Sequence, residues 1–143
     1  MATARVVLID DEEAFAAVVA ERLRARGPAI DVALSGEEGI RLAKAHTYDA
    51  ILLDLAMPGL DGLATMERLL AHDGTLQIII LTGHGSIDAG VAAIKQGAVD
   101  FVEKPADIDE LMSKLGDAQQ KRLELFEQDV SKKMDELLRK RGW

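Results

Sequence analysis

The chain has 143 residues, of which 48% are hydrophobic and 3% aromatic, and its 25 acidic against 17 basic side chains give a formal net charge of -8. This size and apolar content predict one globular domain and exclude an intrinsically disordered chain, while the deficit of Lys and Arg argues against a nucleic-acid surface and points to a cation or a basic partner. Cysteine is absent, which removes disulfides, thiolate metal sites and thiol nucleophiles; no secretory signal and no apolar run of membrane-spanning length is visible, so a cytoplasmic location is expected.

Short apolar runs rich in branched residues lie at 6–9, 30–34, 50–53, 77–81 and 99–102. The third and fourth are apolar without alternation, as expected for strands covered on both faces. Between them the chain reads as helices. Ser35 and Glu38 have capping-box spacing, Ser86 precedes the run Ile87, Val91, Ile94, and Gly97 follows that run as a C′ residue. Asp107 and Glu110 are expected to cap a fifth helix in the same way. Five strands alternating with helices, with right-handed crossovers, predict a doubly wound, three-layer α/β domain.

Charge divides the chain. Residues 1–116 hold 19 acids and 10 bases, residues 117–143 hold 6 acids and 7 bases. In the second segment Leu123, Phe126, Val130, Met134 and Leu137 trace one stripe of an amphipathic helix. A domain over 1–116 and a helical extension or linker over 117–143 are therefore expected. The extension either packs on its own domain or protrudes to pair with another chain, and Gly116 is the weak point between the two segments.

Chemistry gathers at strand ends. Asp10 and Asp11 follow the first apolar run, Asp54 the third, Thr82 the fourth, and Lys104 lies just beyond the fifth. In a parallel sheet these ends share one edge, and with strand order 2-1-3-4-5 the ligand crevice falls between the first and third strands. Three carboxylates there repel one another unless a pKa rises or a cation is recruited. Magnesium, which prefers oxygen ligands, suits them, and manganese is able to substitute. Asp11 and Asp54 are expected as direct ligands, Asp10 largely through water, and the Ala56 carbonyl as a further oxygen. A hydroxyl (Thr82) and an ammonium (Lys104) beside them suit a phosphoryl group, with Asp54 as nucleophile.

The motifs LIDDE (8–12), LLDLAMPGLDG (52–62), ILTGHGS (80–86) and GAVDFVEKP (97–105) occur in order, each at an expected strand end. Together they resemble the receiver domain of bacterial two-component response regulators, the CheY-like superfamily with a flavodoxin-like (βα)5 fold. The resemblance covers about residues 4–116. The wording of the last two motifs is most similar to receivers of nitrogen-regulator and FixJ-like transcriptional regulators. It implies that a sensor histidine kinase donates a phosphoryl group to Asp54, and that the aspartyl phosphate later hydrolyses. It also implies that Thr82 moves toward the phosphoryl group, that Phe101 rotates inward, and that the surface of the fourth helix, fifth strand and fifth helix changes, often for dimerisation. Ala56 and His84 occupy positions that tune phosphate lifetime in that family, and Lys104 to Pro105 is expected to be a cis peptide.

Two other readings are weighed. A phosphatase working through a phosphoaspartate, as in haloacid-dehalogenase-type enzymes, calls for a second Asp two residues after the nucleophile, where this chain has Ala56. A phosphorylation-independent interaction module would depend on the stripe from Leu123 to Leu137. The expected role is a phosphoacceptor switch rather than a turnover enzyme, with a histidine kinase as partner. A homodimer through the fourth helix to fifth helix surface or the C-terminal helix is also expected, and direct nucleic-acid or membrane contact is not. No DNA-binding motif or output domain follows, leaving a stand-alone regulator or a receiver with its linker.

Overall fold

The computed structural model describes residues 3–57, 61–83 and 86–142. Five strands alternate with five helices: β1 (Arg5–Ile9), α1 (Glu13–Ala25), β2 (Ala29–Ala33), α2 (Gly36–Ala45), β3 (Ala50–Asp54), α3 (Gly62–His72), β4 (Ile78–Thr82), α4 (Ile87–Lys95), β5 (Asp100–Glu103) and α5 (Ile108–Lys140). The strands form one parallel sheet in the order β2-β1-β3-β4-β5. The doubly wound flavodoxin-like arrangement expected from the sequence is the one found.

The unbroken apolar runs are explained by the layers. Along β1, Val7 and Ile9 join one core with Ile40 of α2 and Met66 and Leu69 of α3, while Val6 and Leu8 join a second core with Leu23 of α1 and Leu111 and Leu115 of α5. Successive side chains of a strand point to opposite faces, so a strand covered on both sides must be apolar at every position. Each fully buried Leu or Ile contributes about 1.5–3 kcal/mol, and a polar residue within these runs would lose that and add a desolvation cost.

Boundaries moved by a residue or so, for one reason. The hydrogen-bonded ladder continues past the apolar run: Asp54 pairs with Leu81 and Thr82 with Glu103, so Asp54, Thr82 and Glu103 are strand residues although polar. Conversely Val99 precedes β5 and is 44% exposed.

The caps divide similarly. Ser35 Oγ accepts from Glu38 N at 3.1 Å, but the return bond runs from Leu34 N to Glu38 Oε2 rather than to the Ser35 amide. Asp107 Oδ1 accepts from Asp109 N at 3.0 Å; Glu110 turns instead toward Lys114, 3.9 Å away. Ser86 makes no side-chain cap bond, because at φ -98° and ψ 42° its backbone is not in the extended conformation that aims an N-cap hydroxyl at the helix amides. Gly97 ends α4 with φ +124°, and a Cβ there would also stand 2.7 Å from Leu70 Cδ1, so the turn needs glycine twice over.

α5 passes through Gly116 without interruption. Its inner face stays buried at Leu111, Leu115 and Ala118, and the Arg122 guanidinium donates to the Tyr48 carbonyl at the amino-terminal end of the sheet. Beyond that contact the helix is exposed, including Leu123, Phe126, Val130, Met134 and Leu137. No helix of the described residues is long and apolar enough to cross a membrane.

Candidate functional site

Strand order reverses at β1, and the strand-end residues converge there. Asp10 directly follows β1, its amide donating to the Ala33 carbonyl of β2 at 3.0 Å. Its Oδ1 accepts from Glu12 N at 2.9 Å, an Asx-type turn that starts the β1–α1 loop. Asp54 closes β3, and its Oδ1 accepts from Ala56 N at 3.2 Å. The carboxylates of Asp10 and Asp54 are almost fully buried.

Across the cleft, the Lys104 amide donates to the Thr82 carbonyl at 2.7 Å, and the Lys104–Pro105 peptide is cis, as expected. The ammonium reaches back over the sheet edge. Lys104 Nζ stands 2.9 Å from Asp10 Oδ2, 2.9 Å from Glu12 Oε1 and 3.6 Å from Asp54 Oδ2. It also lies over the Phe15 ring of α1, 4.3 Å from the centroid, a cation–π contact that holds the stem against the helix. Burial by itself would lower the Lys104 pKa, but the close contacts with Glu12 and Asp10 and the charges of Asp10 and Asp54 hold it above the ordinary lysine value.

Burial pushes the Asp10 carboxyl above the ordinary aspartate range; the Glu12 amide and the Lys104 ammonium pull it down, and the charge of Asp54 adds to the rise. The site is thus over-supplied with negative charge even with its lysine in place. Asp10 Oδ2 approaches Lys104 as an ion pair without hydrogen-bond alignment, and both this oxygen and Asp11 Oδ1 are buried without a hydrogen-bond partner among the described residues. Carboxylate oxygens of Asp10, Glu12 and Asp54 all lie within 4.8 Å of one another. An all-oxygen donor set with unsatisfied buried oxygens fits a hard divalent cation such as magnesium.

The expected residues fall into three groups. Asp10, Asp54 and Lys104 are brought together. Asp11 is adjacent and half-buried but outside the gathered trio, and Ala56 enters through its amide. Thr82 is buried at the end of β4, its hydroxyl turned to the Val102 carbonyl at 3.5 Å. His84 lies outside the described residues. Beside Asp54 a pocket of about 140 Å³ is lined by Ala56, Thr82, Gly83, Ser86 and Ala89. At about 30 Å³ per liquid water, this has room for a phosphoryl group. A larger cavity, about 350 Å³, opens at the other end of the sheet between Asp49 and the Gly116–Phe126 stretch of α5, but it holds none of the strand-end groups.

Phe101 packs over α4. A Cβ on Gly90 would fall 2.6 Å from the ring, so the absence of a side chain at 90 makes the ring's seat. Sequence reasoning missed Glu12, Phe15 and Gly90. Glu12 was legible as the third acid of LIDDE; the other two depend on where helices pack and carry no local signal.

A family profile described as the response regulator receiver domain matches residues 6–116. The chain is 36% identical over 110 residues to the acid tolerance regulatory protein ActR of Rhizobium meliloti (strain 1021), covering 77% of this chain and 57% of that protein. It is 36% identical over 106 residues to the DNA-binding transcriptional regulator NtrC of Klebsiella pneumoniae, covering 74% of this chain and 23% of that protein. The chain therefore spans less than two thirds of the length of either regulator. Among solved structures, the receiver domain of NtrX from Brucella abortus superposes with a TM-score of 0.77 at 29% identity, over 80% of this chain and 98% of that one.

Proposed function

Because this chain belongs to the response regulator receiver domain family of two-component systems, we propose that it accepts a phosphoryl group on Asp54 from a sensor histidine kinase and acts as a switch rather than a turnover enzyme. The observation that carries this reading is the meeting of Asp54, Asp10 and Glu12 with the Lys104 ammonium at the sheet edge, next to a phosphoryl-sized pocket.

In the transfer, a carboxylate oxygen of Asp54 attacks phosphorus and the P–N bond of the phosphohistidine breaks. The imidazole nitrogen leaves with the electron pair and takes up a proton. Lys104 neutralises charge on the phosphoryl oxygens, and the Ala56 amide and Thr82 hydroxyl are within reach as donors. Magnesium, when bound by Asp10, Asp54 and an adjoining acid, Asp11 or Glu12, supplies positive charge to the same oxygens. Hydrolysis returns Asp54 when water attacks phosphorus and the acyl P–O bond breaks. With Ala56 two residues after Asp54 and His84 two after Thr82, lifetime tuning is assigned to these positions.

The switch is read as a turn of the Thr82 hydroxyl from Val102 toward the phosphoryl group, with movement of Phe101 and a changed α4–β5–α5 face. Half-exposed Ile87, Val91, Ile94 and Val99 on that face support its use in dimerisation. The division into a receiver over 1–116 and an extension over 117–143 follows the charge break, and the extension offers a second homodimer surface.

A small phosphodonor with magnesium is expected to add one acid-labile phosphoryl group by intact mass, and Asp54→Asn to abolish it. Absence of the adduct in the wild type, or its persistence in Asp54→Asn, overturns the reading.

A further inference from the structure

Lys104 divides its charge unequally among three carboxylates. Its ammonium stands 2.9 Å from Asp10 Oδ2 and 3.6 Å from Asp54 Oδ2 as ion pairs, but the one aligned hydrogen bond the ammonium donates among the described residues goes to Glu12 Oε1, at 2.9 Å. Glu12 is the N-cap residue of α1, yet its side chain makes no cap bond. The carboxylate is therefore spent on the lysine and not on the helix.

The three partners differ in what they lose when the ammonium leaves. The side chains of Asp10 and Asp54 are 0% and 4% exposed, whereas that of Glu12 is 63% exposed. A buried carboxylate stripped of its counter-charge is strongly destabilising. An exposed one is taken over by water, and such a pair contributes little to the fold. A phosphoryl group on Asp54 brings further oxygens that need the same ammonium, which has only three N–H donors. One contact has to be surrendered, and Glu12 is the partner that gives it up at least cost. The two acids left open above as the third metal ligand are sorted by the same comparison. Asp11 Oδ1 is buried with no hydrogen-bond partner among the described residues, while Glu12 Oε1 already has the lysine.

We propose that Glu12 is a positioning residue: it holds the Lys104 ammonium in the unphosphorylated state and competes with the phosphoryl group for it, so that its carboxylate sets how tightly Asp54 retains a phosphoryl group. The proposal rests on the reading of Asp54 as phosphoacceptor and deepens it by naming a residue that opposes the modification. The Phe15 ring, 4.3 Å from Nζ to its centroid, keeps the lysine stem against α1 while the head turns from Glu12 to the phosphoryl oxygens. Reach matters here as much as charge. An aspartate at position 12 keeps the negative charge beside the site but is one methylene shorter, and is expected to fall short of the ammonium.

The test titrates beryllofluoride, a phosphoryl mimic, into the full chain at saturating magnesium by calorimetry, for the wild type, Glu12→Ala and Glu12→Asp; magnesium alone is titrated separately, and thermal unfolding checks that each variant is folded. Both variants are expected to bind beryllofluoride about two- to fivefold more tightly than the wild type, the range that an exposed ion pair supplies, with magnesium affinity changed less than threefold. If Glu12→Ala tightens binding and Glu12→Asp matches the wild type, the charge acts at a distance and the proposal is overturned. A loss of magnesium affinity of tenfold or more in Glu12→Ala makes Glu12 a metal ligand and overturns it as well. Unchanged or weaker beryllofluoride binding in both variants removes the positioning role alone and leaves the phosphoacceptor reading standing. A wild type that takes up no beryllofluoride removes that reading, and this proposal with it.

Discussion

The ring of Phe101 lies where a side chain on Gly90 would be: a Cβ at that position would stand 2.6 Å from Cγ and 2.7 Å from Cδ2. The one residue of β5 proposed to move in signalling is thus seated on bare backbone of α4. Gly90→Ala is expected to push the ring or the helix aside and to cost about 1–3 kcal/mol. In urea denaturation, the double variant Gly90→Ala, Phe101→Ala should cost less than the sum of the two single changes, because the methyl then has space. Strict additivity would mean that the two positions do not press on each other.

Magnesium should stabilise the fold through the same acids that strain it. With burial holding the Asp10 carboxyl above its ordinary value, the folded state binds that proton more tightly than the unfolded state. The stability this contributes is present below the ordinary value of 3.8 and is lost as pH rises through the elevated one. The cation replaces the lost proton, so the rise in Tm caused by magnesium should grow across that window. At a hundredfold excess over Kd the gain is about 2.7 kcal/mol. Asp10→Asn and Asp54→Asn should each reduce it relative to a sodium chloride control of equal ionic strength.

Tyr48 is 1% exposed and its hydroxyl donates to Asp31 Oδ2 at 2.7 Å. Burial first, then the bond to and charge of Asp31, raise its pKa well above the ordinary 10.0. Tyr48→Phe should cost about 1 kcal/mol at neutral pH. Since the folded pKa is raised, the tyrosine's contribution is whole below pH 10 and declines above it, so the gap between wild type and Tyr48→Phe should narrow in alkaline solution. A gap that widens there would contradict the Asp31 assignment.

Gly116 sits inside α5, and a Cβ there would meet nothing within 4 Å. Gly116→Ala should therefore stabilise the protein by about 0.5–1 kcal/mol, from helix propensity alone. Thermal unfolding by circular dichroism would read it as a rise in Tm. A fall would mean that the helix bends at this point in solution.

The alternation of strands and helices and the identity of Asp10, Asp54, Thr82 and Lys104 as strand-end residues are legible because they rest on chain-local patterns, an apolar run and then a polar residue at its carboxyl end, whereas the order of the strands follows only from the doubly wound fold type. The same logic mispositioned strand ends, since Asp54 and Thr82 are polar yet hydrogen-bonded in the ladder. A serine before an apolar run has the composition of a cap, and only the backbone shows that Ser86 lacks the extended conformation a capping hydroxyl needs. Glu12 was passed over because sequence gives adjacency but not reach. A glutamate side chain is one methylene longer than aspartate, and it extends back over the loop to meet Lys104 from the far side of the sheet. The seat of Phe101 on Gly90 and the grip of Arg122 on Tyr48 join elements distant in sequence, and no periodicity reports them.

The unbroken passage of α5 through Gly116 makes one rod of two functions. Its first turns are core, packed by Leu111, Leu115 and Ala118, and roughly 33 Å of the same helix extends beyond Ala118. A lever of that length has mechanical gain. If repacking at the β5–α5 edge tilted the helix by about 10°, its far end would travel about 6 Å, by the rise of about 1.5 Å per residue. A shift too small to notice at the sheet edge becomes a displacement comparable to a full helical turn at Lys140.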